Sequence, residues 1–334
     1  MAPLKRFFSE VSRTLGSFLR RYARWWAAAL ALVVLSGGGW YLFIAAPVAF
    51  SPGSVVIVKR GASAAEASQE LARAHIIAHP ALLRLLLRVS GEENGVQAGA
   101  YRFNAPENLF AVFHRLVTGD YGIPPVRLTF IEGATVRDMA ARVAAAFPDL
   151  SEADFRRVAQ PYEGYLFPDT YFFSPSSDAA SIVALMRANF AAKTEALSPE
   201  IAASGHTLSD IVIMASLVEK EARTPADKSI VAGILWNRIA HHMPLQVDAV
   251  FGYIYDRDTY SPSLTDLKID SPYNTYLHTG LPPGPIDNPG LASLEAAANP
   301  AKTNYLYYLT GTDGLMHYAT TYAGHQANLR KYLQ

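Results

Sequence analysis

Glu219 closes a run that is otherwise free of charge. Eight consecutive apolar or small residues, Ile211 to Val218, precede it, and Lys220 and Glu221 follow. Leu208, Ile211, Val212, Ala215, Glu219 and Ala222 recur at i, i+3/i+4 spacing, so in a helix Glu219 continues an apolar stripe. A helix apolar all round must be buried. Desolvation raises a carboxyl pKa, and the negative end of the helix dipole pushes the same way. A glutamic acid kept protonated near neutral pH is what general acid catalysis needs, which makes Glu219 the catalytic candidate. The plainer alternative is an i, i+4 ion pair with Arg223 on the last turn. Glu221 stands about 200° further round the helix, so it cannot face Glu219 and is expected to form a salt bridge or to orient a neighbour. Ser216, one turn earlier, could donate toward Glu219.

A second group of candidates lies between Pro244 and Pro289, an irregular stretch rich in Pro, Gly, Asp and Tyr. A loop of that length inside a compact domain is usually functional. Tyr253, Tyr255, Tyr260, Tyr273 and Tyr276 offer apolar ring faces to a sugar and hydroxyls to its edge. Gln246, Asp248, Asp270, Ser271 and Asn274 lie among them and could hydrogen-bond hydroxyl or N-acetyl groups; several tyrosines could equally pack the loop onto a core. Other chemistries find no support. No histidine spacing suits a metal, Ser216 has no Gly-x-Ser-x-Gly turn, no glycine loop cradles phosphate, and there is no cysteine. Neither a metal nor a cofactor is expected.

The elements that must hold these residues are legible in part. Ser209 and Asp210 are expected to supply the N-cap and first turn of a helix over 208–223, and Pro225 to end it near Thr224. Further helices are expected at 179–197 and 228–240. Alternation about Asp313-Gly314 predicts a hairpin of 305–309 with 316–320. Earlier in the chain, a strand at 55–58, Gly61-Ala62-Ser63 and a helix at 64–77 precede a helix at 80–89, a strand at 96–103 and a helix at 109–117. A shift of 72 positions lays Gly61-Ala62-Ser63 on Gly133-Ala134-Thr135, between a strand at 127–131 and a helix at 136–147. Each copy has a turn glycine and a hydroxyl cap. This strand–Gly-x-Ser/Thr–helix unit resembles the small LysM-like modules that bind cell-wall glycans, although it would serve equally as a spacer.

Charge supplies the address. The 334 residues carry 29 basic and 29 acidic side chains, which argues against nucleic acid as the main partner. Residues 1–24 nevertheless hold six Lys or Arg against Glu10 alone, and the next 22, Trp25 to Ala46, hold no charge. As one helix they would span about 33 Å, enough for the hydrocarbon core. Trp25, Trp26, Trp40 and Tyr41 stand near the ends, where aromatic belts form. An uncleaved single-pass anchor is expected, with the N-terminus cytoplasmic and the remainder outside.

Several motifs in order resemble the endolytic lytic transglycosylases of the YceG-like family: Glu163-Gly164-Tyr165-Leu166-Phe167-Pro168-Asp169-Thr170-Tyr171, Met214 to Glu221, Leu245-Gln246-Val247-Asp248, Ser271 to Tyr276, and Gly280 to Ile286 with Asn288-Pro289-Gly290. Leu217 and Val247 are conservative departures. The resemblance implies an α+β chain: a basic tail (1–24), a transmembrane helix (25–46), a LysM-like module (47–125), and a catalytic domain (126–334) with a buried catalytic helix and a C-terminal hairpin. It implies that Glu219 is the acid/base, that Ser216, Gln246, Glu221, Asp248, Tyr273, Asn274 and Tyr276 orient sugars, and that peptidoglycan strands are the substrate, with peptidoglycan polymerases as membrane partners. Glycosidases ordinarily use two carboxyl groups. The resemblance implies a chemistry in which one suffices, since the muramic acid's own 6-hydroxyl attacks and leaves a 1,6-anhydro end. Asn274, uncharged where a hydrolase can carry Asp, agrees with this. A water-using muramidase and a wall-binding scaffold without activity are the competing readings.

Overall fold

The computed structural model describes residues 22–23, 25–45, 47–59, 61–257 and 261–333. The basic tail, apart from Tyr22 and Ala23, lies outside them, as do Ala46 and Tyr260. The apolar segment forms helix α1 (Trp25–Gly39) and a π-helical turn, Trp40–Ile44. Among the described residues no single helix is long and apolar enough to cross a membrane, so the unbroken helix expected over 25–46 is not found. The α-helix ends in Gly37-Gly38-Gly39, the residues with the most backbone freedom to lose.

The chain divides into two units, residues 1–124 with 174–176, and 125–173 with 177–334. In the first, β1 (Ser54–Val58), α2 (Ala64–Arg73), α3 (Pro80–Val89) and β2 (Gly99–Phe103) form a strand–helix–helix–strand motif, followed by α4 (Leu109–Thr118). The strands pair antiparallel, Ser54 opposite Phe103 and Val58 opposite Gly99. Alternation buries Val56, Val58, Tyr101 and Phe103 against Leu71, Leu83 and Leu87. Ser63 caps α2 in a reciprocal box with Glu66. Helix α2 stops short of the expected Ile77, and His75 turns the chain at φ 57°.

The second unit opens with the same motif: β3 (Val126–Thr129), α5 (Val136–Ala146), α6 (Glu152–Ala159) and β4 (Thr170–Phe173), with Val126 opposite Phe173. Thr135 and Asp138 repeat the capping box. Strand β4 takes up the end of the Glu163–Tyr171 motif. Its Tyr171 and Phe173 join Phe130, Met139, Val143 and Phe155 in the core.

After the motif come α7 (Ala179–Glu195), α8 (Ser198–Ser204), α9 (Leu208–Glu221), α10 (Pro225–Ala240), α11 (Ala249–Ile254) and α12 (Leu291–Ala298). The hairpin β5 (Tyr307–Thr310)–β6 (Met316–Ala319) and α13 (Tyr322–Tyr332) complete the chain. Every residue of α9 from Ile211 to Val218 is buried, and the helix packs on both α10 and α12. Each large aliphatic side chain so buried contributes about 1.5–3 kcal/mol. The N-cap of α9 is Thr207, boxed with Asp210, rather than Ser209 or Asp210. The helix ends at Glu221, and Pro225 opens α10 behind the cap Thr224.

Candidate active site

Glu219 stands on the last turn of α9 with its side chain 9% exposed. The apolar surroundings that the stripe implies do not extend to the carboxyl. Lys228, in the first turn of α10 and 5% exposed, donates from Nζ to Oε1 at 2.9 Å. The Gly290 N–H, at the N-cap of α12, donates to Oε2 at 3.1 Å, and Ser293 Oγ donates to the same oxygen at 2.5 Å. The carboxyl therefore meets the N-terminal turn of α12 through a backbone N–H and the side-chain ammonium of a lysine from α10. Arg223 is exposed, and the ion pair formed is with Lys228 on the next helix.

Beside Glu219 runs a cleft of about 1160 Å³, lined by Gly133, Thr135, Glu163, Lys220, Tyr253 and Ile286 among others. Glu219 lies just behind this lining. A Cβ added to Gly133 would stand 3.3 Å from Glu219 Cγ, and Lys220 Nζ donates to Gly133 O at 2.6 Å. Gly133 has φ 73°, so the left-handed turn and the close approach both favour glycine. Two further acids border the site. Burial pushes the Glu163 carboxyl up to about 7, against the Val136 N–H and Asn288 amide that stabilise its charge. Asp287 is fully buried, neither oxygen has a hydrogen-bond partner, and Lys220 Nζ is 3.8 Å away. Burial first, and then the charges of Glu219 and Glu163, hold its pKa far above the usual range, with Lys220 and Lys228 opposing.

The other expected site residues divide. Gln246 is exposed at φ 52°, its N–H bonded to Thr275 O at 3.0 Å. Asp248 accepts from Tyr276 OH at 2.5 Å. Burial, and after it the Tyr276 bond to Asp248, pushes that phenol up. Glu221 accepts from Tyr308 OH at 2.9 Å, and burial pushes it up to about 7. Glu221, Asp248, Tyr276 and Tyr308 influence one another electrostatically, with Arg238 opposing, and so form a group apart from the Glu219 carboxyl. The ring of Tyr273 lies 5.1 Å from that of Tyr253, which lines the cleft. Asn274 is wholly buried: its amide donates to Leu267 O and Ile269 O, tying the long loop together. Ser216 is also wholly buried. It donates to Ile213 O and accepts from the Ile286 N–H, not toward Glu219 as the sequence suggested.

Reading the sequence missed Lys228, Ser293, Glu163 and Asp287 as neighbours of this site. Glu163 and Asn288 stood inside motifs without a role. Lys228 carried no signal, because a lysine in a first helical turn is normally solvated. Ser293 sits on an alanine-rich helix that the sequence did not reveal.

The fold and the site define an α+β protein in which one hydrogen-bonded glutamate stands at the end of a buried helix beside a cleft. A model of the YceG-like family matches residues 56–331. The chain belongs to the YceG-like family. It is 34% identical over 267 residues to a Bacillus subtilis protein named endolytic murein transglycosylase, covering 72% of this chain and 74% of that one. A Streptococcus pneumoniae protein of the same name is 36% identical over 180 residues, 51% of this chain and 32% of the relative. The crystal structure of a YceG-like protein from Listeria monocytogenes superposes with a TM-score of 0.57 at 28% identity, covering 82% of this chain and 98% of that one.

Proposed function

We propose that this protein is a membrane-anchored endolytic lytic transglycosylase. It cleaves the β-1,4 bond between N-acetylmuramic acid and N-acetylglucosamine in nascent peptidoglycan, and Glu219 acts as both acid and base. The observation that carries the reading is the Glu219 carboxyl, held by Lys228, Gly290 and Ser293 at the edge of the cleft. Protonated Glu219 gives its proton to the glycosidic oxygen, which leaves as the 4-hydroxyl of N-acetylglucosamine. The muramic acid 6-hydroxyl attacks C1 of its own ring, and its proton passes to the Glu219 carboxylate. A 1,6-anhydro end forms, no water is consumed, and Glu219 returns protonated. The nucleophile belongs to the ring it attacks, so proximity lowers the barrier without a second carboxylate to activate water. Between the two transfers the carboxylate is stabilised by the Lys228 ammonium and the α12 N-terminus.

Within this reading Gln246, Asp248, Tyr273 and Tyr276 orient the sugars, while Ser216, Asn274 and Glu221 act through the residues they hold. The basic tail and α1 with its π turn anchor the chain in the plasma membrane, N-terminus inside. The first strand–helix–helix–strand motif serves as the LysM-like module, and membrane-bound peptidoglycan polymerases supply the strands that are trimmed. The test is mass spectrometry of glycan strands digested by the full chain in detergent. Anhydromuramic ends from the wild type, and none from Glu219→Gln, are expected. Reducing ends would make the protein a muramidase. Full cleavage by Glu219→Gln would end the assignment of that residue.

A further inference from the structure

Glu163 takes no step in this scheme, yet its carboxyl is buried and borders the cleft. Its Oε1 accepts from the Val136 N–H at 3.0 Å and from Asn288 Nδ2 at 2.8 Å, and Oε2 accepts from Val136 at 3.2 Å. Asn288 is in turn bound on every side. Its amide also donates to Ala134 O at 3.0 Å, and its Oδ1 accepts from the Leu166 N–H at 2.9 Å. Its backbone pairs with the 133–134 turn, Gly133 N–H to Asn288 O at 2.9 Å and Asn288 N–H to Ala134 O at 3.0 Å.

Both segments gathered at Glu163 also touch Glu219. Two residues beyond Asn288, the Gly290 N–H holds Glu219 Oε2. On the other side, Gly133 approaches the Glu219 stem and receives Lys220, the residue beside it. A carboxyl is costly here, since burial raises it and nearby Asp138 raises it further. Two N–H groups that would otherwise be buried and unpaired, that of Val136 and the Asn288 amide N–H not given to Ala134 O, account for its presence.

We propose that Glu163 is a positioning residue for Glu219: through Asn288 it clamps the 133–136 and 288–290 segments at the separation that fixes the Glu219 carboxyl. The proposal rests on the reading of Glu219 as the acid and assigns Glu163 no proton transfer. Glutamine keeps an oxygen able to accept both bonds that Oε1 now accepts, whereas leucine leaves both donors unmet.

The test uses the full chain in detergent with uncross-linked glycan strands, and reads kcat and KM beside hydrogen–deuterium exchange of the 286–293 segment. Glu163→Gln is expected to keep kcat within about threefold. Glu163→Leu is expected to lower kcat about thirtyfold or more with KM within about threefold, and to speed exchange in 286–293 about tenfold while exchange in β1 and β2 stays unchanged. Asn288→Ala should do the same, and the double variant should be no worse than either single one, because both break one clamp. Asn288→Ala carries the test should Glu163→Leu not fold. A Glu163→Leu enzyme that keeps its kcat, or loses efficiency through KM alone, overturns the proposal. So does a Glu163→Gln enzyme as impaired as Glu163→Leu, which would put the carboxyl itself in the chemistry. A wild type that releases no glycan product defeats the transglycosylase reading instead, and exchange in 286–293 still decides whether the clamp exists.

Discussion

The chain builds one motif twice and uses it differently. Both copies run strand, turn glycine, hydroxyl cap, helix, helix, strand, and both close a two-stranded antiparallel sheet. Gly61 and Gly133 take the same left-handed turn, at φ 77° and 73°. Around Gly61 a Cβ would meet nothing within 4 Å, while at Gly133 it would meet Glu219 and Lys220. In the first copy the cap and its glutamate satisfy each other and face solvent. In the second the turn is bonded to Asn288 and Lys220 and borders the cleft. The same local sequence logic thus yields an open turn in one copy and one wall of a site in the other. What differs is the material packed on the turn.

Substitutions can break or sharpen that contrast. The largest effect is expected from Lys228→Met. It takes the ammonium away from the buried Glu219 carboxyl, and breaking a buried pair from one side costs about 3–5 kcal/mol. Thermal melts should show the loss, and glycan cleavage should fall with it.

Gly133→Ala is next. The left-handed turn alone costs about 1 kcal/mol, as at Gly61. Pressure on the Glu219 stem should in addition lower kcat by at least about tenfold. Gly61→Ala should lose the same stability and no turnover; equal kinetics for the two variants would remove the distinction between the copies.

The buried acids of the second unit and the capping acid of the first should also respond to pH in opposite senses. In the second, burial pushes Glu163 and Glu221 up to about 7 and Asp287 well above the usual carboxylate range. An acid raised on folding stabilises fully below its unfolded pKa and loses that contribution as pH climbs to the folded value. Melting of this unit should therefore weaken between about pH 4.5 and 7, and Asp287→Asn should shrink the fall. Glu66 in the first copy is lowered by the Ser63 N–H and hydroxyl, so it favours folding above, not below, the carboxylate range. Calorimetry across pH 4 to 8 checks both signs. The smallest effect is expected from the caps: Ser63→Ala and Thr135→Ala should each cost about 1 kcal/mol in melts. Only the second should slow cleavage.

Local features were the legible ones. The repeat, the caps Ser63 and Thr135, the buried run of α9 and the Asp-Gly hairpin follow from patterns within about ten residues. Helices α8, α11, α12 and α13 were not legible. Leu291 to Ala298 carries little polar contrast by which to show a face, and α13 is polar and buries no residue. Glu219 was found because it interrupts an apolar stripe. Its partners were not, because Lys228, Gly290 and Ser293 stand nine to seventy-four positions away and are joined only by packing α10 and α12 on α9. For the same reason the sequence suggested an oily pocket at the point where the fold supplies three donors.

The three donors have one more consequence. An ionised carboxyl has room for about four hydrogen-bond partners, two on each oxygen. On Glu219, Oε2 already accepts from Gly290 and Ser293, and Oε1 from Lys228. In the proposed reaction Oε1 is therefore the one berth, where the departing oxygen and the incoming hydroxyl must take turns.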